Sequence, residues 1–337
     1  MKPRYIINVH THLHKGQDVS ARVRLWRECN LRRVCIQCMP EYPPGSGLAV
    51  EPDYYTNDDF APLLKEYGDI MVGMGALRLF ERYDGPDAVD RLKERGFTGL
   101  KCINASRPYD HEAYFPLYER AEALGMPILF HTGWLASPLD GSDGRIGVNA
   151  DHYRPYRLDA IARTFPRLKI IGAHLGKPHA EEALQMIAAY PNVYYDVSGG
   201  SGKKEHWRWI LKALSPLPGA DMADPEEHPA LGYFRKLCFA TDNPEPPVWI
   251  EASEHILDGL AIPDVTMNIS LPEEITAAMT RGVARGVEEG GFLDNVGDLN
   301  RYQQAKQADA MLAAAQNPGG GGTMGDMMGM GMGMAMA

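Results

Sequence analysis

The stretch Asn8-Val9-His10-Thr11-His12 closes the apolar run Tyr5-Ile6-Ile7. Side chains on a strand alternate with a period of two, so two imidazoles separated by one residue face the same side and can bind one metal ion. A pair of this kind also occurs as solvated or hydrogen-bonded histidine, and the rest of the chain has to decide between the two. Other apolar runs end in residues of the same chemistry. Phe130-His131-Thr132-Gly133, Ala173-His174-Leu175-Gly176 and Ala240-Thr241-Asp242-Asn243-Pro244 each close a short hydrophobic stretch, and Lys101 lies within Gly99-Leu100-Lys101-Cys102. Packing alone poorly explains strands that repeatedly end in His or Asp.

Eight apolar runs carry these residues: Tyr5–His12, Arg33–Cys38, Ile70–Leu77, Gly99–Ile103, Pro127–His131, Leu168–His174, Val193–Val197 and Leu237–Thr241. Helical patterns lie between and after them at Val19–Asn30, Thr56–Tyr67, Pro86–Arg95, Glu112–Leu124, Tyr156–Thr164, Glu181–Ala189, Lys203–Leu214 and Val248–Leu260. Near-continuous apolar strands alternating with helices predict a parallel sheet covered by helices, and eight repeats close a (β/α)8 TIM barrel. Connections into a strand are tight and carry Gly or Pro, as in Tyr67-Gly68-Asp69, Arg95-Gly96-Phe97, Leu124-Gly125-Met126 and Tyr190-Pro191-Asn192. Longer connections run over Pro40–Tyr55 and Gly133–Pro155, which leave strands, and over Gly219–Pro229 between the seventh helical region and the eighth strand. Long loops leaving the strands are expected of a barrel enzyme, whose chemistry sits on that face. A doubly wound open sheet would need a switch point and a glycine-rich phosphate loop after the first strand, and neither is visible.

The chain has 337 residues, 45% hydrophobic and 23% charged, with a formal charge of −10. That suits one large globular domain, and the acidic balance without a Lys/Arg block argues against nucleic acid or an anionic membrane as partner. A small-molecule substrate is expected. Five cysteines, Cys29, Cys35, Cys38, Cys102 and Cys238, are odd in number and scattered through apolar segments, which suits a reducing compartment. Cys35 and Cys38 have CxxC spacing, but on a strand they point to opposite faces. The first strand is too short for a signal-peptide core or a membrane span, so a cytoplasmic protein is expected.

His10-Thr11-His12, His131 in FHTG, His174 in AHLG and Asp242 in ATDNP together resemble the amidohydrolase superfamily, in particular the amidohydrolase-2 branch with its aminocarboxymuconate-semialdehyde decarboxylase-like decarboxylases and lactonases. The resemblance runs from Tyr5 to about Leu260. It implies a metal held by His10, His12, His131 and Asp242, with His174 close by as an acid/base or electrophilic group. Asn8 departs from the pattern, since it stands where the family usually has an acidic residue, and so does Asn243, which follows the aspartate.

Three imidazoles and a carboxylate suit one divalent ion, Zn2+ first, with Mn2+ or Fe2+ as alternatives. Such an ion lowers the pKa of water towards about 7, Asp242 can take the proton, and His174 can polarise the carbonyl or protonate the leaving group. The expected activity is hydrolysis of a small ester, lactone or amide. The alternative is non-oxidative decarboxylation of an aromatic or muconate-type acid, which would use the same ligands. In two-metal branches a lysine of the fourth strand is carboxylated and bridges the ions, whereas GLKC here resembles the one-metal pattern. The bland reading of Lys101 is a barrel lysine paired with a carboxylate such as Asp196.

Arg78, Arg107, Arg145, Arg154 and His14 lie at or beyond strand ends, where a guanidinium could receive a substrate carboxylate. Trp134, Tyr42 and Tyr54 could wall a flat ring. Leu271–Gly291 reads as a helical extension after the barrel, suited to packing over it or to a homodimer contact. The barrel domain is therefore expected over residues 1–315, followed by a flexible Gly/Met-rich tail over 316–337.

Overall fold

The computed structural model describes residues 6–41, 53–80, 84–134, 149–199, 204–215, 236–243 and 245–259. Eight parallel strands follow one another in sequence order: β1 Ile6–Thr11, β2 Leu31–Gln37, β3 Met71–Ala76, β4 Gly99–Cys102, β5 Ile128–Phe130, β6 Ile170–Gly172, β7 Val193–Asp196 and β8 Leu237–Cys238. Beyond the short β8, the backbone N–H of Val9 donates to Phe239, those of Thr241 and Asp242 donate to His10, and Thr11 bridges to Asp242. These bonds join the eighth strand position to the first and make the sheet a TIM barrel. Helices α1 Val19–Glu28, α2 Asn57–Tyr67, α3 Pro86–Glu94, α4 Phe115–Ala123, α5 Asp159–Thr164, α6 Ala180–Ala189, α7 Lys204–Leu214 and α8 Pro246–Gly259 connect and follow the strands.

Each strand faces two apolar environments, which is why the runs are hydrophobic on both sides. Ile7, Val9, Cys35, Val72, Met74, Leu129, Ile171, Ala173, Tyr194, Cys238 and Ala240 fill the barrel. Residues of the opposite parity, such as Val34, Ile36, Leu100, Ile128, Phe130 and Ile170, pack with Trp26, Phe60, Leu92, Leu117 and Ile161 of the helices. Cys35 and Cys38 fall into different clusters, as their spacing requires. Local signals set the helix starts. Asp18 caps α1 by accepting from the N–H of Ala21, and Thr56 and Asp59 form a reciprocal capping box on α2.

Some elements differ from the sequence expectation. Glu112–Tyr114 and Pro155–Leu158 are 3-10 turns ahead of α4 and α5, each next to a proline that lacks an N–H to extend an α-helical ladder. The strand expected through His174 ends at Gly172, and His174–Gly176 forms a 3-10 turn with left-handed backbone at His174 and Leu175. The chain divides into units Met1–Ala284 and Arg285–Ala337. The expected extension Leu271–Gly291, the boundary at 315/316 and the Gly/Met tail lie outside the described residues, as do Gly219–Pro229 and most of the two other long loops.

Candidate metal centre

Between Asn8 and Thr11 the pairing advances three residues on β1 for two on β2, which is a bulge. A bulge re-aims the side chains that follow it. His10 and His12 consequently come together with their Nε2 atoms 3.3 Å apart. Asn8 fixes this stretch to the far side of the seam. Its Nδ2 donates to Thr241 Oγ1 at 2.9 Å, while its Oδ1 accepts from the backbone N–H of His10 and of Thr241. An amide does both, so the departure from an acidic residue at position 8 has a structural task.

The other ring nitrogen of each histidine is committed. His10 Nδ1 is 2.9 Å from Asp196 Oδ2, and His12 Nδ1 is 2.9 Å from the backbone oxygen of Gln37. Both partners can only accept, which places the proton of each neutral imidazole on Nδ1 and a lone pair on Nε2. Burial drives the His10 pKa down to about 3 with Lys101 adding to the shift, and burial lowers His12 as well, so both rings are neutral at pH 7. Asp242 Oδ1 stands 3.5 Å from His10 Nε2 and 3.4 Å from His12 Nε2. Burial pushes the Asp242 carboxyl up, yet its polar surroundings outweigh burial and the group stays below the ordinary carboxylate range, ionised at pH 7.

Three acceptors thus converge, and the one N–H donor beside them among the described residues is Lys101, whose Nζ is 3.4 Å from His10 Nε2. Lone pairs facing each other at this range repel unless a cation lies between them. Tetrahedral N and O ligands at about 2.0–2.1 Å from Zn2+ are about 3.3 Å from one another. The observed separations of 3.3, 3.4 and 3.5 Å match that edge length. This donor set fits a divalent ion.

Asp196, at the end of β7, has a different task. Its Oδ1 accepts from the backbone N–H groups of His174 and Ser198 and from Ser198 Oγ, while Oδ2 faces His10 Nδ1. Burial raises its pKa, yet these donors lower it by more, so it stays ionised with its oxygens occupied. It orients His10. Although Asp196 lies close enough to His10 and His174 nitrogens to form a second candidate ion group, the hydrogen-bond network already accounts for that cluster.

The predicted residues therefore separate. His10, His12 and Asp242 offer ligand atoms within 4.8 Å of one another. His131 falls outside that group, with its ring centroid 5.1 Å from that of His174 and its buried Nε2 lacking a hydrogen-bond partner among the described residues. A buried imidazole nitrogen left unpaired is costly, and an ion is one partner that would satisfy it. His174 stands between the two groups, 5.2 Å from the His10 ring, with Nδ1 held by Ser198 Oγ at 2.9 Å. Lys101 is buried, with its pKa lowered to about 8 by burial, and its hydrogen-bonding neighbour is His10, not Asp196.

The expected substrate arginines are otherwise engaged. Arg78 bonds Asp84 through Nε and Nη2, Arg154 pairs with Glu182, and Arg107 Nη1 is 2.9 Å from His111 Nε2. His14 and Tyr54 meet at Asn243 Oδ1, and the Tyr54 ring stands edge-on to His12 at 4.9 Å, where it walls the centre. Trp134 is 68% exposed at the rim, while Tyr42 and Arg145 lie outside the described residues. Ser198 and the Gln37 carbonyl are not marked by the sequence, and Asp196 is read there only as a partner for Lys101. Asp196 carried the same signal as the others, an apolar strand closed by a carboxylate.

No curated protein matches the chain. Among solved structures it is similar to an uncharacterized TIM-barrel protein from Bordetella bronchiseptica, with 14% identity, a TM-score of 0.53, and 84% of this chain and 99% of that one covered. A probable 2-pyrone-4,6-dicarboxylic acid hydrolase from Acinetobacter baumannii shows 13% identity, a TM-score of 0.53 and coverage of 81% and 98%. A 2,6-dihydroxybenzoate decarboxylase from Rhizobium shows 16% identity, a TM-score of 0.51 and coverage of 85% and 99%. At these identities the likeness establishes the barrel fold. A family model described as Amidohydrolase matches residues 53–286. That match begins after His10 and His12, so their pairing stands on the geometry above. With more than half of its length matched, the chain belongs to the amidohydrolase family.

Proposed function

We propose that the protein is a metal-dependent hydrolase that adds water to the carbonyl of a small ester, lactone or amide, using one divalent ion, Zn2+ first. The observation that carries this reading is the convergence of His10 Nε2, His12 Nε2 and Asp242 Oδ1 at ligand-edge spacing with their outer nitrogens already tied. His10, His12 and Asp242 would hold the ion, with His131 as the fourth ligand. Bound there, the ion supplies Lewis acidity and lowers the pKa of water to about 7.

The chain's own groups do the proton work. Asp242, ionised and buried, takes a proton from the attacking water. His174, fixed through Nδ1 by Ser198, keeps Nε2 for the proton that Asp242 takes from water and passes it on to the leaving oxygen or nitrogen. Asp196 holds His10 in the tautomer that leaves Nε2 unprotonated. The Lys101 ammonium, inside the site and without a carboxylate partner among the described residues, would attract the negative charge that grows on the carbonyl oxygen.

The same lysine favours the second reading, a carboxy-lyase, because a buried ammonium can hold the carboxylate that such an enzyme removes. The barrel itself carries both chemistries, as the names of the Acinetobacter hydrolase and the Rhizobium decarboxylase attest. The protein as purified should be assayed against a panel of lactones, esters and aromatic carboxylates, following acid release and headspace CO2 together. Acid release without CO2 is expected. CO2 from a carboxylate with no hydrolysis would replace the hydrolase reading with the lyase. We further infer a cytoplasmic protein: its five cysteines are free, and four of them are buried. No helix among the described residues is long and apolar enough to cross a membrane.

A further inference from the structure

Cations around the mouth of the barrel differ in their partners. Arg78, Arg154 and Lys15 are neutralised by Asp84, Glu182 and Asp59. Lys101 and Lys177 have no carboxylate partner of this kind among the described residues, and the polar neighbour of each is an imidazole. Lys101 belongs to the metal centre. Lys177 follows the 3-10 turn of His174, and its backbone oxygen accepts from the N–H of Trp134 at 2.7 Å, so its loop packs on the one that follows His131.

Lys177 is held in place. Its Nζ is 3.4 Å from His206 Nδ1 on α7 and 5.6 Å from the ring centroid of Trp209. His206 is buried, with the rings of Trp209 and Trp249 each 5.8 Å away. A Cβ at Gly199 would come within 2.2 Å of the His206 ring, so glycine there is what admits the imidazole. Burial, then the charge of Lys177, drives the His206 pKa down to about 4, which leaves a neutral ring whose Nδ1 accepts from the ammonium. An ammonium has three N–H donors. One is used here, and the other two have no acceptor among the described residues.

We propose that Lys177, positioned by His206 and Trp209, receives a carboxylate of the substrate at the end remote from the reacting carbonyl. The substrate class is then a carboxylated ester, lactone or amide. A net charge of −10 would otherwise repel such an anion, and an unneutralised lysine at the mouth reverses the field locally. The inference rests on the hydrolase reading only in taking the His10, His12 and Asp242 centre as the reacting end.

The test is calorimetric titration of the full chain with succinate, glutarate, adipate and isophthalate, each against its own monomethyl ester. At least one diacid should bind about tenfold tighter than its monoester, the scale of one charge-assisted contact. Lys177→Met should abolish that preference without lowering the melting temperature, and Lys177→Arg should keep it. Preference that survives Lys177→Met, or its absence from the unaltered protein, would overturn the proposal. If Lys177→Met fails to fold, His206→Asn replaces it: a reduced preference with monoester binding unchanged supports the proposal, and an unchanged preference overturns it. Failure of hydrolysis across the substrate panel leaves this binding comparison intact, so the two readings can fail separately.

Discussion

Left-handed backbone occurs at both ends of the barrel, carried by different residue types. At the end where helices feed into strands, the positive φ values belong to Asn30, Gly96 and Gly125, at 60°, 92° and 64°. These residues stop helices, and Gly and Asn adopt the conformation at little cost. At the opposite end, Gly133 and Gly176 are joined by Asn104, His174, Leu175 and Asp242, with φ from 46° to 60°. For a leucine, a histidine or an aspartate this costs about 1–2 kcal/mol per residue. The first end uses unusual backbone to end elements, and the second uses it to aim side chains. Strain that persists where the chemistry sits is therefore a property of the site, held by bonds such as Asp196 to the His174 N–H and His10 to the Asp242 N–H.

The contrast predicts where substitutions hurt function and where they hurt stability. Asp242→Ala or His12→Ala should reduce bound metal, measured by elemental analysis, and activity to background. A variant that keeps its ion would remove these residues from the ligand set. His174→Asn should leave the ion in place while slowing turnover about 10²–10⁴-fold, the usual worth of a positioned proton-transfer group. Turnover near normal would reduce His174 to a hydrogen-bonded residue of the strand end. Asp196→Asn should weaken metal affinity by about 10–100-fold, because it releases the orientation of His10 without removing a ligand. Metal titration against a competing chelator reads this directly.

Acidification probes the buried imidazoles. His206 has a folded pKa of about 4 against 6.5 unfolded, so between these values the unfolded chain binds a proton that the folded one refuses. Stability is therefore present above pH 6.5 and is lost as pH falls through the window, by about 2 kcal/mol at pH 5 from this group alone. His10, lowered to about 3, acts in the same direction. The melting temperature of metal-free protein should drop by several degrees from pH 7.5 to pH 5, and a flat profile would count against a neutral His206. The smallest effect is expected at the other end. Gly125→Ala meets nothing within 4 Å, so it should cost only the backbone term of about 1–2 kcal/mol in a denaturant melt, with turnover per folded molecule unchanged.

The barrel was legible because its signals are local and repeated: apolar runs, helix stops at Gly96 and Gly125, and polar residues closing strands. His10, His12 and Asp242 were legible for the same reason. The support around them was not, since the choice of Asp196 for His10 and of the Gln37 carbonyl for His12 depends on how β7 and β2 sit across from β1. Which of the loop arginines carries a neutralising carboxylate is visible only in three dimensions, as with Glu182 beside Arg154. Strand ends were overextended at His174, where left-handed backbone is not written in residue type.

The seam between β1 and β8 bears on how the molecule is made. Asn8 and Thr241 are bonded across 233 residues of chain, and the centre draws His10 and His12 from one side of that seam and Asp242 from the other. During synthesis from the N-terminus, the histidines leave the ribosome long before the aspartate exists, so a growing chain holds this ligand set without its carboxylate. An ion could be captured tightly only after the eighth strand position docks on the first, a contact whose long sequence separation makes loop closure costly. An ion bound there would act as a clasp on the last joint to close. Scarcity of metal should then show first as slow completion of folding, and only afterwards as lost turnover.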